Sequence, residues 1–485
     1  MSIKGCGVFL LFLFSSLLNN LFTSSAIKPA IGLKPAPNPQ QKISNASKPL
    51  ADWTFIIYIQ ANNDLSQFAI RNLKEMARVG SNSKLNILAQ VDKPKQKGIW
   101  RYIINKEKIE LSEHISESGD CVKDMVGGAK WAFKKFPSKF TGAIWWNHGS
   151  GILDPVSWAA GATRFANNIV KEPINTNHKG IFFNYISKTY MNNQQQLQAL
   201  KEIKEKVLGG RKIDILGMDA CLMAMVEVAY QVKNYARFFV ASEEVASALG
   251  MQYRDFLQHA VNGLSPSDLS RYMVEGFANF YGNKIQWYTQ SAIDLDKINL
   301  LKAGIDQILF DIENCKTKFG FSSVKNIVKS ARKASLEFNI PCYIDLHSFL
   351  TELDKRVSSG AFRLAAIKSS PMDDMEQLTS PDLFREDKID DKKAISNFEE
   401  RDDLQYVVKS QGEFEELEVK RLKTSLLNTI KLLEGMVVAN VSGDGVSRAK
   451  GLSIYFPAEY GIDASYIKTE FAKESSWIKF LIEML

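Results

Sequence analysis

Over residues 53–241, short apolar runs alternate with stretches whose apolar positions recur every three or four residues. The runs at 53–59, 85–91, 142–146, 213–218 and 238–241 are too short for helices and predict strands. Between the first two, Leu65, Ala69, Leu73, Met76 and Ala77 share one helical face, with Asp64 placed to cap it. Residues 122–136, 194–207 and 222–232 predict further helices, each leading into the next run. This alternation predicts an α/β fold in which a mostly parallel central sheet is covered by helices. Strands apolar throughout are buried on both faces. In such sheets ligands and chemistry gather at the carboxyl ends of the strands.

The pattern changes beyond about residue 300. Residues 300–313 and 324–338 predict helices, 342–346 a short extended piece, 414–433 a long helix, 436–441 and 452–456 strands, and Trp477 to Leu481 a last helix. The stretch 371–403 is crowded with Asp, Glu and Lys and predicts a solvated insertion. The division this suggests is a first α/β domain over 51–300 and a C-terminal α/β domain over 301–485. The long segment between Gly149 and Gly210 has little periodicity before about Asn192 and carries Arg164, Lys171, Lys179 and Lys188, which predicts an exposed loop open to cleavage.

The first residues alter the compartment. Lys4, the apolar run 7–18 and Ser24-Ser25-Ala26 have the layout of an export signal over 1–26, followed by a Pro-rich linker over 27–50. The protein is expected outside the cytoplasm, secreted or periplasmic, with no stable membrane insertion once the signal is removed. The formal charge of +7 is mild for 485 residues and has no dense basic block, which argues against a nucleic-acid partner. Cys121, Cys221, Cys315 and Cys342 are too widely spaced for a zinc site or a small disulfide scaffold. One arrangement leaves Cys221 free, pairs Cys315 with Cys342 and buries Cys121.

Two places put a reactive side chain just past an apolar strand. Trp145-Trp146-Asn147-His148-Gly149-Ser150-Gly151 sets a histidine before glycines, and Gly217-Met218-Asp219-Ala220-Cys221 sets a cysteine where the strand is expected to give way to a helix. A thiolate is the reactive form of cysteine, and a helix amino terminus or an imidazolium lowers its pKa. His148 would then exchange the proton with Cys221. The N–H groups of Gly149 and Cys221 would hold an oxyanion. The competing structural readings are a core cysteine and a turn histidine. His114, His178, His259 and His347 have no metal-ligand spacing.

Taken together, Trp53 to Ile59, Asn62-Asn63-Asp64-Leu65, Val91-Asp92, Trp146 to Gly151 and Asp219 to Ala224 resemble the clostripain family of cysteine peptidases in order and spacing. Ala241-Ser242-Glu243-Glu244, Tyr343 to Leu346, Gly451 to Pro457 and the Trp477 to Leu481 tail continue the likeness over nearly the whole chain after the signal. The resemblance implies a caspase-like α/β/α sandwich, a His148–Cys221 dyad and polypeptide substrates. It also implies cleavage after Arg or Lys, with Asp219, two residues before the nucleophile, lining the pocket and Glu243 and Glu244 adding negative charge. Some members cut themselves between the two halves of the dyad, where this chain has its long loop. Calcium stimulation is known in some members, and no dedicated calcium loop is visible here.

The chain departs from the family pattern at 245–253, where Val-Ala-Ser-Ala-Leu-Gly-Met-Gln-Tyr replaces the usual Pro-Gly and Gly-Trp, and at Asn147, where an acid is common. Two other functions remain open at this level: a non-catalytic surface-binding protein on the same fold, and a hydrolase of non-peptide amides.

Overall fold

A computed structural model describes residues 50–94, 96–154, 170–171, 181–184, 189–282, 284–358, 402–458 and 461–485. The export signal, nearly all of the Pro-rich linker, most of the cleavable loop and almost all of the charged insertion lie outside them.

In chain order the strands are β1 (Ala51–Gln60), β2 (Leu85–Asp92), β3 (Ile99–Asn105), β4 (Lys108–Ile115), β5 (Ser138–Trp146), β6 (Val170–Lys171), β7 (Ile213–Asp219), β8 (Ala236–Ala241), β9 (Thr289–Asp294), β10 (Tyr343–Asp345), β11 (Val437–Ser442), β12 (Ser453–Tyr455) and β13 (Ile462–Asp463). Nine of them form one sheet in the order β11-β9-β8-β7-β5-β1-β2-β3-β4. The five central strands, β8 to β2, run parallel, and antiparallel strands extend both edges. Strand order reverses between β1 and β5, which makes the carboxyl ends of these two strands the natural place for a site.

Successive residues of β1 alternate between two helical layers. Trp53, Phe55, Ile57 and Ile59 pack with α1 (Ser66–Val79), α5 (Tyr253–Ala260) and α6 (Pro266–Tyr281). Ile56 and Tyr58 face the opposite layer, with α2 (Cys121–Lys135), α3 (Asn193–Glu202), α4 (Val226–Val232) and α7 (Ile298–Phe319). The same layer takes in α8 (Phe321–Ala334), α9 (Leu346–Ser358), part of α10 (Asp402–Met436), α11 (Glu470–Glu474) and α12 (Trp477–Met484).

The boundary expected near residue 300 falls inside α7, and β11 from the far end of the chain pairs with β9. The second half also touches the strand ends of the first. Ser453 N–H donates to Ala224 O (2.9 Å), Tyr455 N–H to Glu227 Oε1 (2.9 Å) and Tyr343 O–H to Ser150 O (2.6 Å).

Three local expectations change. The helix after Cys221 begins at Val226 rather than Leu222, because residues 222–224 instead run beside 242–244, with Leu222 N–H donating to Glu244 O and Ala224 N–H to Ser242 O. Asp64 does not cap α1: Asn63 Oδ1 accepts the Leu65 N–H, and Asp64 turns elsewhere. Cys315 and Cys342 are not bridged. The four cysteines among the described residues are free thiols, and Cys121 is only half-buried.

Candidate active site

The register of three neighbouring strands assembles the site. Trp146 at the end of β5 pairs with Asp219 at the end of β7, so His148 and Cys221 each lie two residues past a matched pair. Asn147 N–H donates to Asp219 O (3.3 Å) and carries this alignment beyond the sheet. On the other side of β5, Ile59 of β1 pairs with Trp146, which brings Asp64 to the histidine. His148 Nε2–H donates to Asp64 Oδ1 at 2.6 Å. The carboxylate takes one ring nitrogen, fixes the tautomer and leaves Nδ1 for proton exchange.

Asp64 was missing from the sequence-derived site. Its signal was the Asn-Asn-Asp-Leu stretch after β1, but only the β1–β5 register shows that this acid reaches the histidine. Asn147 acts behind it, with Nδ2–H donating to Gln60 O (2.7 Å) and Oδ1 accepting Phe183 N–H (3.0 Å). The residue beside His148 is thus a brace between β1 and the far end of the long loop.

Gly149 makes the closest backbone approach. A Cβ there would lie 2.4 Å from Cys221 O, so only glycine lets the two strand-end turns meet. Leu222, directly after the cysteine, has φ 64°, a left-handed conformation that costs a non-glycine residue about 1–2 kcal/mol. Such strain gathers at functional turns. Neither the Gly149 nor the Cys221 N–H donates to a backbone carbonyl among the described residues.

Cys221 is a free, partly buried thiol. Burial pushes it up to about 11, and the nearby Glu244 and Asp219 charges push the same way. Its Sγ is 3.8 Å from Ala246 O and makes no hydrogen bond with His148. A helix amino terminus does not activate it, since α4 starts five residues later.

The three acidic residues expected to line the pocket have different surroundings. Asp219 lies beneath residues 245–253, with Oδ2 accepting Met251 N–H (3.0 Å) and Tyr253 O–H (2.9 Å). Burial raises its pKa to about 6 against these two hydrogen bonds, and Glu75 adds to the rise. Asp219 Oδ1 has no hydrogen-bond partner among the described residues. Glu243 is not in the pocket: it is wholly buried, accepts Gly451 N–H (2.9 Å) and faces Asp345, so it ties β8 to the second half of the chain. Glu244 accepts the Val245 (2.7 Å) and Asn339 (3.2 Å) N–H groups, so its charge acts on Cys221 from a braced position.

Among the described residues no three or more His, Cys, Asp or Glu side chains stand together as ligands for a metal ion. No helix among them is long and apolar enough to cross a membrane.

Residues 57–483 match the Clostripain family. Among solved structures, the chain is similar to a secreted C11 cysteine protease from Bacteroides thetaiotaomicron in complex with an irreversible peptide inhibitor, with 17% identity over 89% of this chain and 99% of that one and a TM-score of 0.53. An inactive zymogen C11 protease from Parabacteroides distasonis is 15% identical over 88% of this chain and 98% of that one, TM-score 0.52. A further secreted C11 protease from B. thetaiotaomicron, iotapain, is 12% identical over 88% and 99%, TM-score 0.55. At these identities the likenesses establish the fold. No curated protein sequence matches. With the family match spanning nearly the whole described chain, over a caspase-like sheet that brings a histidine and a cysteine together, the chain belongs to the clostripain family of cysteine peptidases.

Proposed function

We propose that this peptidase is an exported endopeptidase that cleaves after Arg or Lys, with Cys221 as nucleophile, His148 as its base and Asp64 as the group that orients His148. In the reaction, His148 takes the Cys221 proton and the thiolate attacks the peptide carbonyl. The Gly149 and Cys221 N–H groups hold the oxyanion, and His148 delivers the proton to the leaving amine. Water, deprotonated by the same imidazole, then hydrolyses the thioester. The observation that carries this reading is the alignment of β1, β5 and β7, which sets Asp64, His148 and Cys221 on adjacent strand ends.

The basic preference rests on Asp219, a carboxylate beneath the 245–253 loop with one oxygen unspent and no ion pair among the described residues. Export rests on the layout of residues 1–26 and agrees with two neighbours described as secreted. Cys221 Sγ, in contact with Ala246 O and without a hydrogen bond to His148, suits a precursor. Maturation by a self-inflicted cut after a basic residue between Arg164 and Lys188 would follow the same chemistry.

Fluorogenic peptides ending in Arg, Lys, Asp or Leu, given to wild type and Cys221→Ala, test the reading. Turnover of Arg and Lys peptides that disappears in the variant is the expected result. Turnover surviving Cys221→Ala removes the nucleophile, and turnover confined to Leu removes the acidic pocket.

A further inference from the structure

We propose that Glu75, on α1, is the second carboxylate of the pocket for the substrate side chain before the scissile bond, sharing an Arg guanidinium or Lys ammonium with Asp219. The inference rests on the basic preference proposed above and adds a residue that no pattern in the sequence singles out.

The first support is where α1 lies. Asn72, one turn before Glu75, is wholly buried; its Oδ1 accepts Trp146 Nε1–H (2.9 Å) and its Nδ2–H donates to Leu249 O (3.1 Å). This face of α1 is thereby pinned to the end of β5 and to the loop over Asp219. A Cβ at Gly250 would lie 2.6 Å from Asp219 Oδ2 and 3.3 Å from Asn72 Oδ1, so the aspartate and the helix flank the same glycine.

The second support is an unused hydrogen-bond acceptor. Glu75 is only 9% exposed; its Oε1 accepts Arg71 Nε–H at 3.2 Å, while its Oε2 is buried without a partner. Arg71 is 38% exposed and holds the solvent side of the carboxylate. Glu75 is near enough for its charge to act on Asp219, Tyr253 and Tyr281, the groups around the loop. Two carboxylates whose charges act on each other, each with an oxygen that has no hydrogen-bond partner among the described residues, repel. A cation brought by the substrate would bond to both. A guanidinium, with five N–H donors in a planar fork, spans two carboxylates better than an ammonium does.

The test compares kcat/KM for peptides ending in Arg, Lys and citrulline, the neutral isostere of Arg, in wild type, Glu75→Gln and Asp219→Asn. The readout is the basic-to-citrulline ratio, because a folding defect lowers all substrates alike. Glu75→Gln is expected to lower the Arg ratio about 10- to 100-fold, the scale of one hydrogen bond between charged groups, and the Lys ratio by less. If Asp219→Asn removes the basic preference and Glu75→Gln leaves the ratio unchanged, Glu75 has no place in the pocket and the proposed specificity stands. If wild type shows no preference for Arg or Lys over citrulline, or no turnover, both fall. Should Glu75→Gln not fold, Glu75→Asp, which draws the charge back by one methylene, is expected to give an intermediate ratio, and an unchanged ratio overturns the proposal.

Discussion

In the proposed reaction Asp64 serves the base and Asp219 the substrate. A carboxylate on His148 Nε2 stabilises the imidazolium and hence the thiolate paired with it. Asp64→Asn keeps a neutral hydrogen bond and loses that stabilisation. It is expected to lower kcat/KM about tenfold, one charge-assisted contact made neutral. It should also move the midpoint for Cys221 alkylation by iodoacetamide to higher pH, and Asp64→Glu should partly restore it. A residue that only supports the fold would leave that midpoint where it was. At Asp219 burial raises the carboxyl pKa to about 6, with Tyr253 and Glu75 beside it. The free enzyme therefore gains its pocket charge as pH rises through about 6. The Arg-to-citrulline kcat/KM ratio should climb through that range in wild type and stay flat in Asp219→Asn.

At the scale of elements, the strands buried on both faces were legible in the sequence. β1, β2, β5, β7 and β8 are apolar nearly end to end and start or stop within a few residues of their predicted limits. β9 was not legible: Thr289, Gln290 and Ser291 are buried, with Thr289 Oγ1 accepting the Glu243 N–H (2.8 Å) and Ser291 Oγ–H donating to Gly451 O (2.7 Å), contacts that no local pattern reveals. β4 is an edge strand with much of its surface exposed, so it lacks an apolar run. The residues after Cys221 have helical spacing, yet their backbone is held by 242–244, a partner remote in sequence. Glu243, at the end of β8, was misplaced for the same reason, its partners Asp345 and Gly451 lying over a hundred residues on. Burial and the Asp345 charge raise the Glu243 pKa. The folded chain thus holds a proton that the unfolded chain releases, and stability falls as pH rises through that window. Glu243→Gln mimics the protonated acid. Its melting temperature is expected to match wild type at pH 5 and to exceed it by a growing margin towards pH 8, with the Arg-to-citrulline ratio unchanged. A lowered ratio would return Glu243 to the pocket.

At the scale of the whole molecule, the catalytic turns depend on chain far from them. Ser453 buttresses the turn after Cys221 through Ala224 O, and Tyr343 holds the segment after His148 through Ser150 O. A cut in the long loop would separate β5 from β7 along the chain without parting them in the sheet, where five residue pairs keep register from Gly142 with Ile215 to Trp146 with Asp219. The two pieces of a protein cut between Arg164 and Lys188 should therefore elute together in size-exclusion chromatography at the mass of the intact molecule. Separate elution under native conditions would show that the chain, not the sheet, holds the halves together. The proposed pairing of a Cys221 nucleophile with a pocket for a basic side chain is checked by mapping the adduct of a peptidyl-arginine chloromethyl ketone by mass spectrometry. One modification is expected, on Cys221, formed faster than with the peptidyl-leucine reagent and absent in Cys221→Ala. Modification of another residue, or equal rates for the two reagents, would contradict it.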